Sequence, residues 1–211
     1  MNPERVIATA QRHVRLGALL LLVFGVFLSF AQAQEPTVPT LAIIPEGSSI
    51  RFSVDASVKL EGVFTKWNAN LTFASTDVTT GVLTITIQAD SVNSGSGMKD
   101  GKLKSKDFFN VKEDPTISFK STKLTQTAPD TFELAGDFTI RGVTKTEKLI
   151  FKLSRDPKAL GTGTISGTMA FDRKDYGMNK GIPLVKIADR VEVTVDLKAK
   201  HVGGPVLDLR K

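Results

Sequence analysis

Apolar residues recur at every second position through eight separate stretches of this chain. Ile50, Phe52, Val54 open the series, followed by Trp67, Ala69, Leu71, Phe73 and by Leu83, Ile85, Ile87, Ala89. After an interruption come Ile117 and Phe119, then Phe132, Leu134, Gly136, Phe138, Ile140. Leu149, Phe151, Leu153, then Ile165, Gly167, Met169, Phe171, and last Val191, Val193, Val195, Leu197 complete it. The positions between carry Arg51, Ser53, Thr84, Thr86, Lys120, Ser166, Glu192 and Thr194, among other polar residues. Side chains alternate across a strand, so this pattern predicts an antiparallel sheet with one wet face.

Each of those faces must be buried against something. A sandwich does this between two sheets; a barrel closes on itself and removes its aggregation-prone edges. The expected fold is all-β, and of the two arrangements an eight-stranded antiparallel barrel is the one without edges. A barrel of that size is just wide enough to fill with side chains or to hold one small ligand. Ala69, Gly136 and Gly167 among the larger inward residues allow two readings: unfilled apolar volume, or relief of crowding where curved strands approach.

One interruption reads as helical. Residues 96–110 (SGMKDGKLKSKDFFN) carry Met98, Leu103, Phe108 and Phe109 among lysines and aspartates, with Ser94 or Ser96 as a cap and Gly101 as a weak point. Asp172–Ala188 reads as a long loop, residues 34–48 as an extended lead-in with three prolines, and residues 201–211 as a loose tail.

The N-terminus predicts export. Arg5, Arg12 and Arg15 precede the apolar run Leu16–Phe30, which ends in Ala31-Gln32-Ala33. A basic start, a short apolar core and an A-x-A ending are the pattern of a cleaved secretory signal, here residues 1–33. About 20 apolar residues are needed to cross a bilayer, so no stable span is expected after cleavage. The expected product is a periplasmic or secreted protein, the rival reading being an uncleaved membrane anchor.

Composition then removes most chemistry. Of 211 residues none is Cys and two are His, His13 in the leader and His201 in the tail. Disulfides, thiolate catalysis and iron–sulfur ligation are excluded, and imidazole catalysis or metal ligation has almost nothing to work with. No catalytic residue, metal or cofactor is expected. Net charge is +6, without the dense basic patch and exposed aromatics that nucleic-acid binding requires. Gly161-Thr-Gly163 before Gly167 has the wrong spacing for a dinucleotide loop. Gly97 to Leu103 is one residue short for a phosphate loop and ends in Leu where Ser or Thr must ligate magnesium. Asp172, Arg173, Asp175 and Tyr176 read as an Asx turn with an ion pair. Lys99, Lys102, Lys104, Lys106 and Lys112 face Asp100, Asp107, Glu113 and Asp114, the pattern of a solvated helix face.

Three stretches carry a resemblance. ADSVNSGSGMKDGKLKSKDFFNVKEDPTISFKST (Ala89–Thr122), GDFTIRGVTKTEKLIF (Gly136–Phe151) and MAFDRKDYGMN (Met169–Asn179) resemble the signature segments of the YceI-like family, in order and in spacing, and the likeness spans residues 49–200. The resemblance implies a lipocalin-like barrel holding a long polyisoprenoid, quinone-like or fatty-amide chain in an apolar lumen. Where relatives often have Arg-Asp and then His-Leu, this chain has Lys99-Asp100 and Lys102-Leu103, so no histidine role carries over.

The implied function is a non-catalytic carrier; the alternative is an envelope stress-response or structural barrel with a packed interior and only incidental lipid. The inward strand positions make the lumen candidates Phe52, Val54, Trp67, Leu71, Ile85, Ile87, Phe119, Phe138, Phe151, Met169, Phe171 and Val193. If the helical segment rims the mouth, Phe108 and Phe109 join them as a lid, with Lys102 and Lys106 beside the ligand's head group. Oligomeric state stays open, a homodimer included.

Overall fold

A computed structural model describes residues 36–58, 60–156, 161–181 and 184–209, among which lie ten strands, one α-helix and short 3-10 turns. The expected signal segment, residues 1–33, lies outside the described residues. The strands are β1 (Thr40–Ala56), β2 (Leu60–Phe64), β3 (Trp67–Thr72), β4 (Val82–Gln88), β5 (Val92–Asn93), β6 (Thr116–Ala128), β7 (Thr131–Ile140), β8 (Val143–Arg155), β9 (Thr162–Asp172) and β10 (Ile187–Gly203). Helix α1 is Gly97–Lys104, shorter than the helical segment expected over 96–110.

All strands belong to one antiparallel sheet that curls on itself, in the order β3-β4-β6-β7-β8-β9-β10-β1-β2-β5. The pairing circuit is completed along bent strands. β2 pairs with β1 and runs on through Thr65 and Lys66 into β3, which pairs with β4. β4 likewise runs through residues 89–91 into β5, which pairs with β2. Ser91 holds the bend: its Oγ donates to the Gln88 carbonyl (2.7 Å) and accepts from the Lys66 N–H (3.1 Å). The eight expected strands are therefore all present, and two of the eight paths are broken into two ladders each.

Alternation sets the register. Ile85 lies opposite Phe119, Phe119 opposite Phe138, Phe132 opposite Phe151, Val193 opposite both Met169 and Phe52. Hence the apolar faces converge into one buried core.

The expected boundaries shift at both ends. Thr40–Ile44 pairs with β10, so the lead-in is strand from Thr40. A bulge between Ile44 and Ser49 interrupts it; Gly47 there has φ +85°, which a side chain would oppose. His201 lies in β10 rather than in a tail, and Asp208 forms a parallel bridge to Asp77.

Up-and-down connectivity gives the barrel two ends. At one, here called the mouth, lie the β1–β2 turn, the β5–α1–β6 connection, the Arg141-Gly142 turn between β7 and β8, and residues 173–181 and 184–186 before β10. At the far end Phe132 and Phe151 stack with centroids 5.1 Å apart and planes 13° from parallel.

The two central glycines lie in close contact with their neighbours. A Cβ on Gly136 would fall 2.5 Å from the Lys120 carbonyl oxygen, and one on Gly167 3.1 Å from both Leu149 Cδ1 and Phe151 Cβ. These glycines relieve crowding between strands; they do not open the lumen.

Candidate functional site

An apolar cavity of about 60 Å³ lies under the mouth. β1 contributes Ile50, Phe52 and Val54, β2 Leu60 and Phe64, β7 Phe138 and Ile140, β10 Ile187, Val191 and Val193. Ile87, Ile117 and Phe171 come from the mouth ends of β4, β6 and β9, and Met178 from the loop after β9. The roof is Leu103 of α1 with Phe108 and Phe109 just beyond it, all three buried.

Aromatic rings form the wall. Phe109 sits edge-on to Phe52 with centroids 6.1 Å apart and lies 5.7 Å from Phe64. Phe138, Phe171 and Tyr176 make a second cluster at 5.1–5.4 Å. Tilted and edge-on contacts of this kind are among the arrangements that aromatic pairs favour.

Polar groups hold the roof from outside. Arg141 Nη1 donates to the Phe108 carbonyl (2.8 Å). Lys102 Nζ donates to Asp107 (2.6 Å) and stands 5.8 Å from the centre of the Phe108 ring, a cation–π distance. That bond, with Lys106 and Lys180 nearby, holds the Asp107 carboxyl below the usual carboxylate range. The Asp100 carboxyl is lowered by hydrogen bonds from the Ser94 hydroxyl (2.6 Å) and N–H (2.8 Å), which tie α1 to the turn before it.

Arg173 is the charged residue bordering the cavity. Its guanidinium is turned to the loop: Nε donates to Ala188 O (3.1 Å), Nη1 to the Met178 and Lys180 carbonyls, and Nη2 reaches Asp189 (3.0 Å). Only its aliphatic stem borders the void. The expected Asx turn is present, with the Lys174 N–H donating to Asp172 (2.8 Å), and Asp175 pairs with Lys145 (3.2 Å). Tyr176 is fully buried and donates to Glu147 (2.8 Å); burial first, and that carboxylate second, push its phenol far above the ordinary range.

The sequence-predicted residues divide. Phe52, Val54, Ile87, Phe108, Phe109, Phe138, Phe171 and Val193 border the cavity. Trp67, Leu71, Ile85, Phe119, Phe151 and Met169 pack in the core without reaching it. Lys106 is exposed, and Lys102 is engaged with Asp107 on the outer side of Phe108. Ile50, Ile117, Ile140 and Val191, read as inward but not as lumen candidates, line the cavity too, as do Leu103 and Arg173. Sequence reading missed Leu60, Phe64, Met178 and Ile187 altogether. The first two lie on β2, where Gly62 breaks the apolar alternation; the last two flank the irregular loop.

No group of three or more acidic or histidine side chains is placed to hold a metal ion among the described residues. No described helix is long and apolar enough to cross a membrane.

The sequence matches the YceI-like domain family over residues 41–199. A UPF0312 protein of Azotobacter vinelandii is 27% identical over 126 residues, 58% of this chain and 66% of its own length. A UPF0312 protein of Pseudomonas aeruginosa is 30% identical over 122 residues, 56% of this chain and 63% of its own. The match thus spans just under two thirds of these relatives. Among solved structures, Burkholderia cenocepacia BcnA superimposes with TM-score 0.67 at 22% identity, covering 74% of this chain and 99% of that one. A polyisoprenoid binding domain from Saccharophagus degradans gives 0.60 at 12% identity, covering 78% and 99%. At these identities the structures show a shared fold.

Proposed function

The chain belongs to the YceI-like family, and from that premise we propose that it is a non-catalytic carrier which shields a long apolar chain in its barrel. The observation that carries this reading is a wholly apolar, aromatic-walled cavity beneath a roof of three side chains on a short irregular segment. Burying an apolar chain recovers about 25 cal/mol per Å² taken from water, so binding needs few polar contacts. The polyisoprenoid-binding neighbour supports an isoprenoid or similar lipid as ligand. The leader pattern supports an exported protein that is periplasmic or secreted after cleavage near Ala33.

Volume sets the mechanism. About 60 Å³ is far below the roughly 300–1,000 Å³ of sites that enclose even drug-sized molecules. A long chain enters only if Leu103, Phe108 and Phe109 withdraw and their places become lumen. Lys102 and Lys106 then stand at the rim, beside the ligand's head. The same small volume favours the second reading, a barrel whose interior stays packed and whose lipid is incidental.

Native mass spectrometry of freshly purified protein, before and after organic extraction, separates the two. The carrier reading expects a copurified lipid mass that extraction removes and added polyprenol restores. Protein that is ligand-free as purified and takes up no polyprenol would establish the packed barrel.

A further inference from the structure

The side chains above the cavity and those beneath it are anchored differently. Leu103, Phe108 and Phe109 stand on α1 and the turns after it, outside every strand ladder. The next inward positions below the void belong to the wall itself. Ile85 lies on β4 between β3 and β6, Phe119 on β6 between β4 and β7, and Val195 on β10 between β1 and β9. All three are buried core residues that do not reach the cavity. Deeper still, Leu83, Leu134, Leu149, Leu197 and Phe132 are at most 2% exposed, and the Phe132–Phe151 stack fills the far end. A floor residue leaves its place only if a two-sided ladder breaks. A roof residue gives up a few polar ties.

Capacity then follows from the atoms that can move. Protein interiors are packed about as densely as organic crystals, so an apolar carbon takes similar room in a side chain and in a ligand. Withdrawal of Leu103, Phe108 and Phe109 vacates the room of about eighteen carbons, the content of those three side chains. The void of about 60 Å³ adds space for only a few more.

We propose that the barrel is matched to an apolar chain of about twenty carbons, the length of four isoprene units, and that a longer chain leaves its excess outside the mouth. This rests on the carrier reading, with the tail entering first and the head group left at the rim lysines. Length selection follows when the ligand comes from an apolar reservoir. A unit that passes from a micelle into the barrel stays out of water, whereas a unit held outside the mouth loses its apolar surroundings. A chain that is too short leaves vacated room unfilled and forfeits contacts.

Competition between prenols tests the match. Extracted protein is given equal amounts of geraniol, farnesol, geranylgeraniol and octaprenol, of two, three, four and eight units, in non-ionic micelles. Native mass spectrometry then counts the bound species. Wild type is expected to hold geranylgeraniol in about tenfold excess over both octaprenol and geraniol. Val193→Phe adds bulk of nearly one isoprene unit at a position bordering the void, and is expected to move the preference to farnesol. Ile187→Phe, at another bordering position, repeats the test should a thermal melt show the first variant unfolded.

Octaprenol held as well as or better than geranylgeraniol by wild type would overturn the length limit and leave the carrier reading standing. An unchanged preference in a folded, filled variant would overturn it too, since the void and roof would then not set the length. Protein that takes up no prenol of any length overturns the carrier reading, and the limit with it.

Discussion

Replacing Arg141 with alanine isolates the latch on the roof. Arg141 sits in the β7–β8 turn with φ +55°, an angle that arginine and alanine resist alike, so the substitution leaves backbone strain unchanged. What it removes is the 2.8 Å bond from Nη1 to the Phe108 carbonyl. A hydrogen bond to a charged donor contributes about 1.5–3 kcal/mol, and half-burial places this one near the lower figure. About 1.4 kcal/mol is a factor of ten, so the roof should open about tenfold more often. Two amides report directly: Phe109 N–H donates to the Leu103 carbonyl and Asn110 N–H to that of Ser105, each at 2.9 Å. Hydrogen exchange of the peptide spanning residues 103–111 is expected to speed up about tenfold. Release of a preloaded polyprenol should speed up by the same factor, and the far-end strands around Phe132 should keep their protection. Unchanged exchange in that peptide, or an equal rise throughout the barrel, would refute the reasoning, since Arg141 would then act only on global stability.

Gly136→Ala should destabilise by about 1–3 kcal/mol in chemical denaturation, because its Cβ would meet the Lys120 carbonyl oxygen at 2.5 Å and the Ser121 Cα at 2.8 Å. Gly101→Ala, in α1 with nothing within 4 Å of the new Cβ, should instead stabilise by about 0.4–1 kcal/mol. Tyr176 is the chain's one tyrosine, so ultraviolet titration reads it alone: folded protein should show no phenolate near pH 10, and denatured protein the ordinary value of about 10. A folded pKa raised in this way leaves stability intact below pH about 10 and erodes it above, since the unfolded chain then gives up the proton more readily. Asp100, Asp107 and Asp189 are shifted the other way, so their contribution at the mouth holds above pH about 4 and fades as acid protonates them. Near-UV circular dichroism of the aromatic roof should follow that fade.

Period two made the barrel wall legible wherever a strand was regular. It failed at particular residues. In β6 the register slips between Ser121 and Lys123, so the inward set runs Ile117, Phe119, Ser121, Leu124, and a reading by twos stops at Phe119. Ser121 is buried there because its Oγ accepts the Leu83 N–H at 2.9 Å, a role its polarity hides. β2 was lost at Gly62, whose missing side chain leaves room for the Phe52 ring; a Cβ would approach that ring to 2.7 Å. Gly136 and Gly167 were ambiguous for the reason that matters most to function. Alternation says which face is inward but not how far apart opposing inward groups stand, and the cavity lies elsewhere. Phe108 and Phe109 were placed as a lid only on the condition that the helical segment rims the mouth, since no periodicity governs them.

The segment that closes the cavity is also the one least able to hold itself. α1 has eight residues, far short of the length at which helices persist alone in water. It contains Gly97 and Gly101, Ser96 makes no side-chain capping bond, and Leu103 is its one buried residue. Its order therefore comes from outside: Ser94 holds Asp100, Lys102 and Asp107 close its C-terminal turn, and Arg141 fixes Phe108 from the opposite hairpin. The barrel wall beneath is a continuous ladder with paired aromatic faces and no such dependence. An apolar chain pressing into the mouth thus meets one element whose few polar ties can be exchanged for water, and a wall that yields only by unfolding. Opening at the roof is the route of least cost, and Leu103, Phe108 and Phe109, which fill the void in the empty protein, are the groups the ligand must replace.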